Sequence, residues 1–242
     1  MNAERSAVRW GNTEIPYVIR RSDRRGTVAV AVETSGEVVL TAPPTTPVTR
    51  LDDVVRAKAK WIVDRVRRRS DLPPPPPREF VSGETFRYLG RQYRLRVLPG
   101  QAVRPVTLRG GHLELPVPED LDEESRAAYA RAALIDWYKH RAREQVPGWL
   151  APWVRAMRVE APELLVTDQE KRWGSCSRGT LRINWRIVQA PKPIVDYVLA
   201  HEVVHLVYPH HGAQFWSAVA QVMPAYEVTK ARLAALGPEL TW

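Results

Sequence analysis

Residues 194–208 read Ile-Val-Asp-Tyr-Val-Leu-Ala-His-Glu-Val-Val-His-Leu-Val-Tyr and are followed by Pro209. Nearly every position is apolar or aromatic, which is typical of a helix that is buried around most of its circumference. Three of the exceptions are His201, Glu202 and His205. The stretch therefore predicts a core helix that carries polar side chains, and burying such groups is costly unless something satisfies them.

The spacing of these polar residues indicates a metal site. His201 and His205 are four positions apart, so they share one helix face with Cβ atoms about 5–6 Å apart. Both imidazoles can therefore bind one ion, with ring nitrogens about 2.0–2.1 Å from zinc. Glu202 projects one position round the helix, beside the ion, where its carboxylate can accept a proton from a water molecule.

A catalytic zinc site needs a third protein ligand and an open fourth position. His211 is the candidate we favour, because Pro209 stops the helix and six residues beyond His205 allow the chain to turn back. His210 competes for the same role. We predict that zinc is held by His201, His205 and His211.

Cys176 is the chain's one cysteine, so it cannot form an internal disulfide or supply a four-cysteine zinc site. A cysteine with nearby histidines can also make a thiol hydrolase, but here the histidines are better used on a metal. The tryptophans at 173, 185 and 216 are interpreted as core packing rather than as a base-stacking platform.

Outward from the helix, the N-terminal part has two kinds of pattern. Alternating apolar residues over 27–33 and 38–40 predict a β-hairpin. Apolar residues every three to four positions over about 47–69 predict an amphipathic helix with a basic face that ends in Arg67-Arg68-Arg69. A run of five prolines, 73–77, predicts a stiff spacer.

Beyond the spacer, strand patterns flank Gly90 and Gly110-Gly111, which predicts two more hairpins. A helix is expected from Asp122 to about Gln145, and a second helix after Pro147. Short strands at 164–167 and 182–184 then precede the histidine-bearing helix.

These patterns predict an α+β fold in four parts. They are an N-terminal hairpin with an amphipathic basic helix over 1–72, the spacer 73–77, a hairpin region over 78–118, and a helical catalytic domain over 119–242.

Bulk properties set further limits. With 242 residues and 44% hydrophobic content, the chain can bury a sizeable core. The net charge of +9 would suit a nucleic acid or nucleotide partner, although an arginine-rich composition produces the same excess without a ligand. The first residues lack an export signal and no stretch approaches the roughly 18 apolar residues of a membrane span, so we expect a soluble, cytoplasmic protein without membrane contact. The oligomeric state stays open.

Several separated motifs occur in an order that resembles the YgjP-like family of metal-dependent hydrolases, which neighbours the SprT-like and WLM zincins. The motifs are Trp173-Gly-Ser-Cys-Ser, Ile183-Asn184-Trp185, Tyr197 to Leu206, His211, Phe215-Trp216, and, nearer the N-terminus, Lys60-Trp61-Ile62, Gly83-Glu84 and Tyr88-Leu89-Gly90-Arg91.

The resemblance implies a zincin fold of the minigluzincin type, with the active-site helix packed under a short sheet whose edge strand aligns an extended peptide. It also implies His201, His205 and His211 as zinc ligands and Glu202 as the catalytic base of a metallopeptidase. Two alternatives stay open: the family resemblance extends to nucleoside triphosphate pyrophosphatases, and the basic helix would suit a DNA-associated protease or a nucleic-acid-binding module.

The chain departs from its relatives beside the third ligand. Relatives usually carry Asn-His-Ser where this chain has His210-His211-Gly212, and Thr where it has Lys171. Hydrogen-bonding partners of a ligand commonly tune metal affinity by about 10–100-fold, so we expect weaker support of His211.

Overall fold

The structure is a computed structural model and describes residues 4–33, 36–70, 78–100, 104–169 and 172–242, without the side chains of 68–70. The chain divides into two compact units, Met1–Pro76 and Pro77–Trp242. The proline spacer 73–77 lies outside the described residues, and the four-part domain division stays a prediction. No helix among the described residues is long and apolar enough to cross a membrane.

The first unit contains a four-stranded sheet. Its strands are β1 (Glu4–Trp10), β2 (Thr13–Arg21), β3 (Ala29–Val32) and β4 (Val38–Ala42), in the order β1-β2-β4-β3. The predicted hairpin is confirmed as the antiparallel pair β3–β4, whereas β2 and β4 are parallel. The hairpin β1–β2 was not predicted, because only Val8 of β1 is buried and the strand has no clear apolar alternation.

Two helices cover this sheet: α1 (Val48–Ala57) and α2 (Ala59–Ser70). The sequence predicted one helix, but the backbone departs from helical geometry at Lys58, where φ is −105° and ψ is 6°. The buried stripe nevertheless continues across the break, since Val55 and Ala59 are both fully buried.

The second unit begins with another four-stranded sheet. Its strands are β5 (Thr85–Tyr88), β6 (Arg91–Gly100), β7 (Thr107–Arg109) and β8 (His112–Pro118), in the order β5-β6-β8-β7. Both predicted hairpins, β5–β6 and β7–β8, are confirmed. A Cβ atom at Gly90 would lie 2.8 Å from Cγ of Pro191, so the β5–β6 turn packs tightly against the start of the histidine-bearing helix.

A single long helix, α3 (Glu123–Met157), follows. The expected helix end at Pro147 is therefore wrong, because α3 continues through Pro147 and Pro152. Proline inside a helix removes a hydrogen bond and costs about 3 kcal/mol or more. Both prolines are exposed, so water can hydrate the carbonyl oxygens they leave unpaired. On the opposite face an unbroken stripe is buried, which offsets the cost. Its members are Ala142, Val146, Leu150 and Val154.

The last part of the chain carries the three histidines of the predicted metal site. Strands β9 (Glu163–Thr167), β10 (Gly174–Ser177) and β11 (Thr180–Asn184) form a small sheet in the order β10-β11-β9, so β10 lies at an edge. A 3-10 helix (Trp185–Gln189) leads to α4 (Lys192–Val204), α5 (Ala213–Val222), α6 (Tyr226–Leu236) and a closing 3-10 helix (Gly237–Leu240). The fold is thus α+β, with three small sheets and six α-helices in the described part of the chain.

Candidate metal centre

Helix α4 carries His201 and Glu202, has His205 as its C-cap, and is the predicted core helix. Most of its residues are buried, including Val198 and Val203 on either side of His201. The helix ends at Val204, however, and not at Pro209 as expected. The amide N–H groups of Leu206 and Val207 bond to carbonyl oxygens three residues back, which tightens the last turn.

The structure brings together one ring nitrogen from each of the three predicted ligands. Nε2 of His211 lies 3.1 Å from Nε2 of His205 and 3.0 Å from Nε2 of His201. Ligand nitrogens on a tetrahedral zinc ion are about 3.3 Å apart, given metal–nitrogen distances of about 2.0–2.1 Å. His210 is exposed and does not belong to this cluster.

The hydrogen bonding of the rings fits a bound cation. Nδ1 of His205 lies 3.0 Å from the carbonyl oxygen of Tyr208, so Nδ1 donates and Nε2 presents a lone pair to the cluster. Burial, with His205 and His211 nearby, lowers the pKa of His201 to about 3. A neutral His211 has too few protons to bond to both neighbours through Nε2, and a cation would satisfy all three lone pairs.

Support for the rings is uneven. Only His205 has a protein partner at Nδ1 that the structure describes; Nδ1 of His201 is buried without one. The side chain of His211 is exposed, and the following Gly212 begins α5 without a side-chain cap.

Glu202 follows His201 on α4 and is only 6% exposed. Burial raises the pKa of Glu202 to about 7, against an opposing effect of Arg172, and one carboxylate oxygen, Oε2, has no hydrogen-bond partner among the described residues. Near neutral pH this carboxylate can therefore both accept and return a proton.

Gly174, the first residue of β10, lies directly against this glutamate. A Cβ atom at position 174 would be 2.7 Å from Cγ and 2.9 Å from Oε1 of Glu202. Contacts this short do not occur, so the glycine allows the edge strand to approach the carboxylate. The motif Trp173-Gly-Ser-Cys-Ser does not indicate this role of Gly174, and only the packing of β10 on α4 identifies it.

Aromatic rings of α5 form the floor of the site. The ring of Phe215 is fully buried and lies 4.5 to 4.8 Å from the rings of all three histidines. Trp216 stacks on His211 at 5.6 Å. Trp185 is buried in the core as predicted, whereas Trp216 contacts the site itself.

Cys176 lies on β10 and is half-buried. Burial and then the neighbouring Glu202 raise the pKa of its thiol, which disfavours the thiolate that a cysteine nucleophile needs.

Three imidazoles converge next to a buried carboxylate, and the three histidines could hold a metal ion. The chain belongs to the YgjP-like family, since the family's metallopeptidase domain matches residues 26–236. It is therefore a metallopeptidase-type hydrolase, and the family implies a metal ion.

Among solved structures, the chain is similar to the metallopeptidase zymogen abylysin of Pyrococcus abyssi. It is 19% identical, with a TM-score of 0.36, and the match covers 38% of this chain and 93% of that chain. No curated protein matches the chain.

Proposed function

We propose that the chain is a zinc-dependent peptidase of the zincin type. His201, His205 and His211 hold the ion, and Glu202 is the general base. The observation that carries the proposal is the convergence of one ring nitrogen from each of the three histidines, all within 4.8 Å of one another, next to the buried Glu202 of α4. When bound, zinc polarises a carbonyl group and lowers the pKa of water to about 7.

The remaining chemistry belongs to the chain's own residues. Glu202 accepts a proton from the attacking water and returns it to the leaving amine, a transfer that suits a pKa of about 7. The free edge of β10 lies beside Glu202, and an extended peptide can add to such an edge through main-chain hydrogen bonds. An extended peptide or a locally unfolded protein segment is therefore the substrate that we propose.

The test compares wild type with Glu202→Gln, a substitution that preserves shape but removes the base. We expect the variant to retain zinc while hydrolysis of an unstructured peptide mixture falls at least about 10²–10⁴-fold. Metal content is measured by elemental analysis and hydrolysis by new amino termini, with chelated and zinc-reconstituted wild type as controls. Full hydrolysis by Glu202→Gln would refute the proposed base.

Hydrolysis of a nucleoside triphosphate at the same centre is the alternative that one observation favours. The exposed Arg172 is close enough to Glu202 to oppose the rise of its pKa, so a cation borders the site. Incubation with nucleotides in parallel with peptides, with and without chelator, distinguishes the two activities.

A nucleic-acid role for the N-terminal unit stays a prediction. On α2 the exposed Trp61 is accompanied by the exposed cations Lys60 and Arg65. Binding that relies on them must weaken steeply as the salt concentration rises.

A further inference from the structure

Lys230 lies on α6 and takes no part in the proposed chemistry. Its Nζ atom is 4.0 Å from the centre of the Trp216 ring. The same indole stacks on His211 and lies 5.8 Å from the ring of His201. The ammonium and two proposed zinc ligands therefore contact one shared ring.

The position of this ammonium is defined although the residue is exposed. Tyr226 stacks on Trp216 at 5.5 Å and holds the indole from a second direction. An ammonium over an indole gains about 0.5–1 kcal/mol at an exposed site. Lys230 is thus restrained beside the site instead of extending freely into solvent.

No carboxylate that the structure describes forms an ion pair with Lys230. The nearest acidic residue along α6, Glu227, accepts a hydrogen bond from the hydroxyl of Tyr226 at 3.2 Å instead. The ammonium therefore places a positive charge near His211, whose ring stacks on the same indole. Such a charge opposes a cation at the histidines and favours an anion beside them.

We propose that the Lys230 ammonium binds a carboxylate of the peptide substrate and so sets a preference for acidic substrates. The inference rests on the proposed peptidase function. Nζ is no more than about 10 Å from the His211 ring across the shared indole, and an extended peptide advances about 3.3 Å per residue, so the carboxylate lies within about three residues of the cleaved bond. It is either an Asp or Glu side chain or the C-terminal carboxylate of the peptide.

The experiment measures binding separately from turnover. Zinc-loaded Glu202→Gln protein is titrated by calorimetry with peptides of one length that differ only in charge. Several pairs have Glu or Gln at one position at a time, within about three residues on either side of the cleaved bond, and a last pair has a free or an amidated C-terminus. The same peptides are given to active protein to measure kcat/KM.

Lys230→Met keeps the chain length and the apolar contact with Trp216 but removes the charge. We expect it to weaken binding of the preferred carboxylate peptide about five- to tenfold and to change its neutral partner less than about twofold. Lys230→Arg should retain the preference. Arg232→Met, which removes an exposed charge two residues along the same helix, should leave both peptides unchanged.

The pair that loses its preference identifies the source of the carboxylate. The proposal would be overturned if Lys230→Met lowered the affinity for charged and neutral peptides equally, if Arg232→Met lowered it by the same factor, or if no peptide bound. It would also be overturned if Lys230→Met weakened the binding of a nucleoside triphosphate but of no peptide. A Lys230-dependent preference in binding, with no cleavage by the active protein, would instead refute the peptidase function and leave the carboxylate site standing.

Discussion

The two sides of the proposed metal centre are built in opposite ways. On the α4 side, Glu202 is buried and pressed against Gly174 of β10. On the α5–α6 side, His211 and Lys230 are exposed, and aromatic stacking on Trp216 holds them. The base is therefore positioned by packing that leaves no room for a Cβ atom at position 174, whereas the third ligand is exposed and stacks on Trp216.

This difference separates the effects that mutations should have. Changes on the buried side should move the base and disturb activity even if the metal stays bound. Changes on the exposed side should alter metal or substrate binding and leave the fold intact, because surface substitutions usually change stability by less than about 0.5 kcal/mol.

The largest effect is expected at the exposed ligand. His211→Ala should reduce zinc from about one ion per chain to almost none and abolish hydrolysis, because two protein ligands do not make a catalytic zinc site. His210→Ala is the matched control and should keep both. Elemental analysis after dialysis measures the outcome. Equal zinc loss from both variants, or loss from His210→Ala alone, would show that the ligand assignment is wrong.

A second prediction tests the buried side. The methyl group of Gly174→Ala would overlap Glu202, which cannot move away without displacing its carboxylate. We expect kcat/KM to fall about 100-fold while zinc is retained, since a misplacement of about 1 Å can have that effect. Overpacking should also destabilise the fold by about 1–3 kcal/mol.

Gly148→Ala is the control for this variant. Gly148 lies on α3, and a Cβ atom there would meet nothing within 4 Å. Its substitution should leave kcat/KM unchanged and stabilise the helix by up to about 1 kcal/mol. Wild-type activity in Gly174→Ala would show that the edge strand does not position the glutamate.

The same contrast explains what the sequence could predict. The pairing of His201 with His205 follows from helix geometry alone, and the hairpin at Gly90 follows from a short local pattern. These features depend on residues that are close in the chain. Taken together, such local patterns also predicted the α+β fold class.

Other features depend on tertiary contacts and left no local signal. α3 passes through Pro147 because its opposite face is buried, and burial cannot be known before the fold is known. The contact of Gly174 with Glu202 and that of Lys230 with Trp216 join separate elements. The hydrogen-bond partner of His205 is the backbone carbonyl oxygen of Tyr208. Every residue type has this oxygen, so the sequence does not identify it.

The smallest effect is expected at Gly212, the N-cap residue of α5. Gly212 has the extended backbone of a helix N-cap, with φ −78° and ψ −175°, and a Cβ atom there would meet nothing within 4 Å. In Gly212→Ser the hydroxyl should accept a hydrogen bond from an unpaired N–H of the first turn of α5. At an N-cap, serine stabilises a helix by only a few tenths of a kcal/mol more than glycine does, so Tm should rise by about 1 °C.

Gly212→Ala is the matched control, because it adds the same Cβ atom without the hydroxyl and alanine caps a helix poorly. Its Tm should fall slightly below that of wild type. Zinc affinity should be nearly equal in all three proteins, since the hydroxyl is directed at the backbone of α5 and not at His211. A tenfold higher zinc affinity in Gly212→Ser would instead mean that the hydroxyl forms a hydrogen bond with His211 itself. The absence of this hydroxyl would then lower the zinc affinity of the wild-type protein.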